Sequence, residues 1–304
     1  MRAVEGIEQT LGDMPVQVFW IHAGRSAEIS LTRVKPARDT SHTTPVLLVH
    51  GNFSHRGFWI SPKGIGLGPF LSQQGYDAWI VELRGHGLSP KGKGFRRITA
   101  EDHIKHDLPA AVDHIVQSTG KPLFLVGHSA GGIFIAASLS AGWLDLDRIL
   151  GIALFGTQLA YGERFIKIPP LAWLSSCLLR LLGRIPASRL GLGPEDEPAG
   201  EFLEFISWKK WKGQWENKDG FSYWDGLSKV STPVLGVAAA RDKNDPPEGC
   251  EQFLEAFGSE DREFILLAKS RGFSKDYDHV GMVVSKEAAQ EVWPLLASWM
   301  DRHR

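Results

Sequence analysis

Six short, uninterrupted apolar runs constrain this chain more than any other feature: PVLLVHG, YDAWIVEL, PLFLVGH, RILGIALFG, TPVLGVAAA and EFILLA. Each is too short for a buried helix and lacks the polar alternation of a strand with one wet face, so each reads as a strand covered on both sides. Helical patterns fall between several of them: GPFLSQQG, AEDHIKHDLPAAVDHIVQSTG, GGIFIAASLSAG, EGCEQFLEAFG and, last, SKEAAQEVWPLLASWMDRHR. Strands alternating with helices predict an α/β fold with a mostly parallel central sheet flanked by helices. Ahead of the runs, PVQVFWIH and EISLTRV are rich in β-branched and aromatic residues and are split by AGRSA, which predicts a hairpin. Thr99 with Asp102, and later Gly120 with Pro122, mark the two ends of the long helix.

The alternation fails once. Between Gly156 and about Val230 no second buried run occurs, but prolines stand at 169, 170, 186, 194 and 198, and aromatics at Trp173, Phe202, Phe205, Trp208, Trp211, Trp215, Phe221 and Trp224. We therefore expect a core domain from residues 1–156 and 231–304, with 157–230 inserted as a helical cap. The stretch LAWLSSCLLRLLG is apolar around more of its circumference than a singly packed surface helix requires, so Trp173 and Leu178 are expected to line an acyl site.

Composition removes several function classes. Lys and Arg total 34 against 35 for Asp and Glu, a net charge of -1, which gives no field to attract nucleic acid. The basic stretch SPKGKGFRRI is too short to alter that. Cys177 and Cys250 stand far apart without zinc-ligand spacing and are expected to be free thiols. His103, His106, Asp107 and His114 are read as part of an amphipathic helix, with acids favoured in its first turn, and no metal is expected. There is no Walker loop and no GxGxxG fingerprint, so no cofactor is implied. The amino-terminal stretch carries acids and lacks a signal-type apolar core, and the most apolar segment is interrupted by Arg180, Gly183 and Arg184. A cytoplasmic location without a membrane span is the expectation.

The chemistry centres on Gly127-His128-Ser129-Ala130-Gly131, a GxSxG sequence that follows one buried run and opens a helical pattern. In a nucleophile elbow the serine sits on a strained turn, so the residues two before and two after it must be very small. A serine hydroxyl is a weak nucleophile until a histidine, oriented by a carboxylate, takes its proton. Candidates appear in the order required, each after a later run. Asp242 follows TPVLGVAAA, with Asp245 as its competitor, and His279 follows EFILLA. Asp278 is adjacent to His279 in an extended segment, where neighbouring side chains point apart, and ranks below both. Oxyanion donors are expected from the backbone N–H groups of Asn52, after His50-Gly51, and of Ala130. His50 is read as a hydrogen-bonded structural histidine, and His86 in RGHGLSP as part of a tight turn near the mouth of the site.

Taken in order, VHGNF, ELRGHGLSP, GHSAGG, AARDKNDP and DHVGM resemble the oxyanion loop, the turn after the fourth strand, the nucleophile elbow, the acid turn and the histidine loop of the α/β-hydrolase superfamily. Locally, HGNFSHRGFWISPKGIGLGPFLSQQGYDAWIVELRG looks like acid lipases related to gastric lipase, and RLGLGPEDEPAGEFLEFISWKKW is similar to poorly characterised bacterial hydrolases. The expected activity is hydrolysis of a small carboxylic ester with an apolar, short to medium acyl group, through an acyl-enzyme. Thioesterase, amidase or acyltransferase chemistry uses the same residues. A non-catalytic binding protein of the same fold is the rival from another class.

Overall fold

The computed structural model describes residues 6–24, 27–36, 43–159, 168–209 and 215–304. Its strands are β1 (Ile7–Leu11), β2 (Met14–His22), β3 (Glu28–Val34), β4 (Thr44–Val49), β5 (Tyr76–Glu82), β6 (Leu123–His128), β7 (Ile149–Phe155), β8 (Arg184–Ile185), β9 (Glu197–Pro198), β10 (Val234–Ala239) and β11 (Arg262–Leu267). Nine of them form one sheet in the order β1-β2-β3-β5-β4-β6-β7-β10-β11, and β8 pairs with β9 alone. Pairing is antiparallel from β1 through β3 to β5 and parallel from β5 onward. The predicted hairpin is β2–β3; Arg25 and Ser26 of its turn lie outside the described residues. β1 is a strand the sequence reading lacked, joined to β2 by a tight turn at Gly12-Asp13 with Gly12 at φ +55°.

The buried runs divide between two cores by the period of two that a strand imposes. Leu47, Val49, Leu123 and Leu125 join the cluster on one face of the sheet, whereas Val46, Leu48, Phe124 and Val126 join the cluster on the other. Helices cover both faces: α1 (Leu67–Gln73), α2 (Ala100–Asp102), α3 (Leu108–Thr119), α4 (Ala130–Ser140), α5 (Pro169–Leu182), α6 (Ala187–Leu190), α7 (Ala199–Lys209), α8 (Tyr223–Leu227), α9 (Pro247–Glu255), α10 (Gly281–Val284) and α11 (Lys286–Arg302). Every residue of α4 is buried, which explains why its sequence is apolar on all sides.

Thr99 and Asp102 form the expected capping box, and Gly120 ends α3 at φ +68°. Between α2 and α3 the helix widens into a π-turn, His103–Asp107. Pro109 follows after Leu108; without an N–H it cannot bond the carbonyl four residues back, and the wide turn accommodates that defect.

The insertion between the adjacent strands β7 and β10 carries α5, α6, α7 and the β8–β9 pair. α8, near its end, packs against α4 of the sheet layer, and Trp208, Trp215, Tyr223 and Phe253 cluster there. Trp211 lies outside the described residues. Among the described residues no helix is long and apolar enough to cross a membrane.

One feature of the strand order locates the site. β4 has β5 on one side and β6 on the other, both parallel, so successive connections leave β4 in opposite directions. A crevice opens at the carboxyl ends of strands where the order reverses, and ligands of open α/β sheets bind there. The residues that follow β4 and β6 are His50-Gly51-Asn52 and Ser129.

Candidate active site

Ser129 stands between β6 and α4 at φ +53°, ψ -123°, a conformation unusual for a residue with a side chain. Its flanking glycines are required by contact. A Cβ on Gly131 would lie 2.5 Å from the carbonyl oxygens of both Val49 and His50, and one on Gly127 would lie 2.6 Å from the Cα of Gly132. The serine N–H donates to the Phe155 carbonyl at 2.8 Å, tying the turn to β7. Ala130 is the first residue of α4, whose opening N–H groups have no intrahelical acceptor. Gly51 packs on the elbow so tightly that a Cβ would meet the Ser129 Cβ at 3.0 Å, which brings Asn52 alongside.

The acid turn after β10 brings Asp242 and Asp245 to the same place, and both are buried. Oδ1 of Asp242 accepts the backbone N–H groups of Asn244 and Asp245, each at 2.9 Å, leaving Oδ2 to accept Nδ1–H of His279 at 2.6 Å. The His279 loop is held independently: Arg241 N–H donates to the Tyr277 carbonyl, and Nε2–H of His128 donates to the carbonyl of His279 at 2.8 Å. Burial, followed by the charge of His279, drives His128 down to about 3, so it stays neutral and serves as a fixed donor. Burial pulls His279 down as well. There the hydrogen bond to Asp242 and the charges of Asp245 and Asp242 outweigh it, and its pKa lies above the ordinary imidazole value.

Asp245 does more than the sequence suggested. Its Oδ2 accepts the Ser129 hydroxyl at 3.3 Å and lies 3.7 Å from Nδ1 of His279, while Oδ1 accepts Nε2–H of Gln158 at 2.7 Å. Two acids three residues apart in one polar turn were the visible signal. Their division of labour was not visible, because it depends on which carboxylate the turn's own N–H groups aim. Asp278 turns instead to the backbone N–H of Gly281 at 2.7 Å.

The remaining residues singled out in the sequence fall elsewhere. His50 is buried, donates from Nδ1 to the Gly51 carbonyl at 2.8 Å and accepts the Leu83 N–H at Nε2. Burial and the neighbouring His86 hold it well below the usual range, hence neutral. His103 bonds Asp107 through Nδ1 at 2.7 Å and Glu201 through Nε2 at 3.1 Å, and Arg84 bonds Asp107 as well. Burial disfavours the His103 cation, but these carboxylates raise its pKa to about 10. Both ring nitrogens of His103 therefore carry protons and neither is offered to a metal. The ring of His114 packs against Phe19 and Trp79.

Trp173 and Leu178 lie on α5 and are 66% and 54% exposed, so neither is enclosed within the described residues. Among its described side chains the buried ones are the small residues Ala172 and Ser176. Most of its large apolar side chains are exposed.

Known proteins share parts of this chain's sequence and its fold. The profile of the family described as serine aminopeptidase, S33, matches residues 40–200. A tear acid lipase-like protein of Mesocricetus auratus is 31% identical over 125 residues, covering 37% of this chain and 31% of that protein. Triacylglycerol lipase 2 of Arabidopsis thaliana is 29% identical over 192 residues, covering 57% of this chain and 42% of its own length. The chain thus spans less than half the length of these curated relatives. In three dimensions, a soluble variant of monoglyceride lipase from Saccharomyces cerevisiae, solved with a substrate analog, superposes with a TM-score of 0.67 at 18% identity, covering 97% of this chain and 96% of that one.

Proposed function

The chain belongs to the α/β-hydrolase family described as serine aminopeptidase, S33, and we propose that it hydrolyses carboxylic esters with apolar acyl groups, with Ser129 as nucleophile, His279 as base and Asp242 as its orienting acid. In this reading Ser129 Oγ attacks the acyl carbonyl and passes its proton to Nε2 of His279. Asp242 holds Nδ1–H, fixes the tautomer and stabilises the imidazolium that forms. The carbonyl oxygen becomes an oxyanion facing the N–H groups of Asn52 and Ala130, and the helix N-terminus favours the same charge. Collapse breaks the ester C–O bond, and His279 returns the proton to the departing alcohol. Water, deprotonated by the now neutral His279, then attacks the acyl-enzyme and restores Ser129. In the structure the serine hydroxyl donates to Asp245 at 3.3 Å, and the reading requires it to turn from there to the imidazole.

The observation that carries this reading is the 2.6 Å His279–Asp242 bond placed beside a serine held at φ +53° on a strand-to-helix turn. The direct test is labelling with a fluorophosphonate probe followed by mapping of the modified peptide. Modification at Ser129 is the expected result; an unlabelled protein, or a label elsewhere, would return the chain to the class of binding proteins with this fold.

Substrate choice is expected to involve α5. Leu171, Trp173, Leu174, Leu178, Leu181 and Leu182 all lie open on the cap, and we read them as an apolar approach surface for acyl chains. With p-nitrophenyl esters from acetate to palmitate, each methylene that reaches apolar surface contributes up to about 0.8 kcal/mol, so kcat/KM rises toward medium chains and then levels or falls. Trp173→Glu flattens that rise and leaves acetate hydrolysis near wild type. A variant that loses all esters equally would make α5 a packing element only.

A further inference from the structure

Two non-glycine residues with positive φ occur among the described residues, and both lie at the site: Ser129 at φ +53° and Phe53 at φ +62°. The first is accounted for by the elbow. The second follows Asn52 and is held almost entirely by the cap. Phe53 N–H donates to Oε1 of Glu197, and its carbonyl accepts the N–H of Glu195 at 3.1 Å. Its ring lies 5.5 Å from that of Phe202. Gly193 approaches so closely that a Cβ there would lie 2.3 Å from the Phe53 carbonyl oxygen.

Glu197 is fully buried, and burying a carboxylate is costly unless both oxygens are engaged. Here the second oxygen, Oε2, is 2.9 Å from Nε2 of His86. Nδ1 of His86 donates to the Arg84 carbonyl, and its ring lies 5.1 Å from that of His50, the residue that leads into Gly51. Burial disfavours the His86 cation, but the charge and hydrogen bond of Glu197 overcome this and raise its pKa. One carboxylate from the β8–β9 pair of the cap therefore reaches into the sheet domain and is spent on the loop after β4.

The consequence concerns Asn52. Its own N–H belongs to the peptide joining it to Gly51, which is wedged against Ser129 and His128. The following peptide, whose N–H is that of Phe53, is held by Glu197. With both neighbouring planes held, the direction of the Asn52 N–H is set. Without Glu197, the left-handed conformation of Phe53 has less to hold it, and relaxation there rotates the Asn52 backbone. We propose that Glu197 is a positioning residue for the oxyanion hole, a cap carboxylate that holds the Asn52 N–H where the tetrahedral oxyanion develops. This rests on the ester-hydrolase reading above. It means that oxyanion stabilisation, assigned to the sheet domain, requires the cap to be seated.

The test compares Glu197→Ala, Glu197→Gln and Ser129→Ala on p-nitrophenyl butyrate, together with affinity for an alkyl boronic acid, which forms a tetrahedral adduct with an active-site serine. Losing one oxyanion donor costs about 10²–10³ in kcat. Glu197→Ala is accordingly expected to lower kcat about 10²-fold with KM within about threefold, and to weaken the boronate by a similar factor. Glu197→Gln keeps an acceptor for the Phe53 N–H and can donate to neutral His86, so it recovers to within about tenfold of wild type. Wild-type kcat in Glu197→Ala, a loss confined to KM, or unchanged boronate affinity overturns the proposal. If Glu197→Ala fails to fold, Glu197→Asp decides: its shorter side chain cannot span both partners, so kcat falls at unchanged KM, and a wild-type kcat refutes the role. Ser129→Ala separates the two levels. If it remains active, the ester-hydrolase reading and this inference fail together; if it is dead while every Glu197 variant turns over normally, only the inference fails.

Discussion

Ser129→Ala is expected to lower kcat for p-nitrophenyl ester hydrolysis by about 10⁴–10⁶, leaving only the residual rate that binding and the oxyanion donors give. The fold should survive. The residue's backbone bonds, its N–H to the Phe155 carbonyl and its carbonyl to the N–H groups of Gly132 and Ile133, do not depend on the side chain. The one side-chain bond lost is to Asp245 at 3.3 Å, a long one, so stability should change by no more than about 1.5 kcal/mol. Measured together, kcat and the unfolding midpoint separate chemistry from folding. Turnover within tenfold of wild type would remove Ser129 from the nucleophile role whatever the elbow's shape.

The elbow was legible in the sequence because its determinants are local. Gly127 and Gly131 flank the serine within five residues, and both prove to be places where a Cβ would strike backbone. The buried strands were legible for a similar reason, since a strand covered on both faces must be apolar throughout. The order serine, acid, histidine needed only the rule that ligands gather at carboxyl strand ends.

What escaped notice depends on partners distant in sequence. Glu197 meets Phe53 across 144 residues and His86 across 111, and within GPEDEPAGE nothing marks it apart from the other acids. The network of Arg84, Asp107, His103 and Glu201 was hidden in the same way: its histidine reads locally as part of an amphipathic helix, and only the fold brings Glu201 to it. β1 was missed because its half-exposed pattern is weak without β2 beside it. For α5 the limit is of a different kind. Periodicity reports that a helix is apolar on most sides, but not which side the rest of the chain covers.

Asp242→Asn is expected to give the second largest loss, about 10³–10⁴ in kcat, because an amide at that position can donate to Nδ1 of His279 and leave the proton on Nε2, the nitrogen that takes the serine's proton in the proposed mechanism. Asp245→Asn should cost about tenfold or less, since the acceptor closest to the imidazole remains in place. The two acids also set the pH dependence, and the sign follows from which form of His279 works. The base must be neutral, while Asp242 and Asp245 both favour its charged form, so activity is lost as pH falls through a pKa above the ordinary imidazole value. Removing the charge of Asp245, whose Oδ2 lies 3.7 Å from Nδ1, makes the imidazolium less favourable. The acid limb of kcat/KM in Asp245→Asn should therefore move to lower pH, and the variant should retain a larger share of its maximal activity under mildly acidic conditions than wild type does. A limb that stays in place would mean that the charge of Asp245 is not felt at His279. A larger kcat loss in Asp245→Asn than in Asp242→Asn would transfer the acid's role to Asp245, leaving Asp242, with its two backbone N–H bonds, as the brace of the turn.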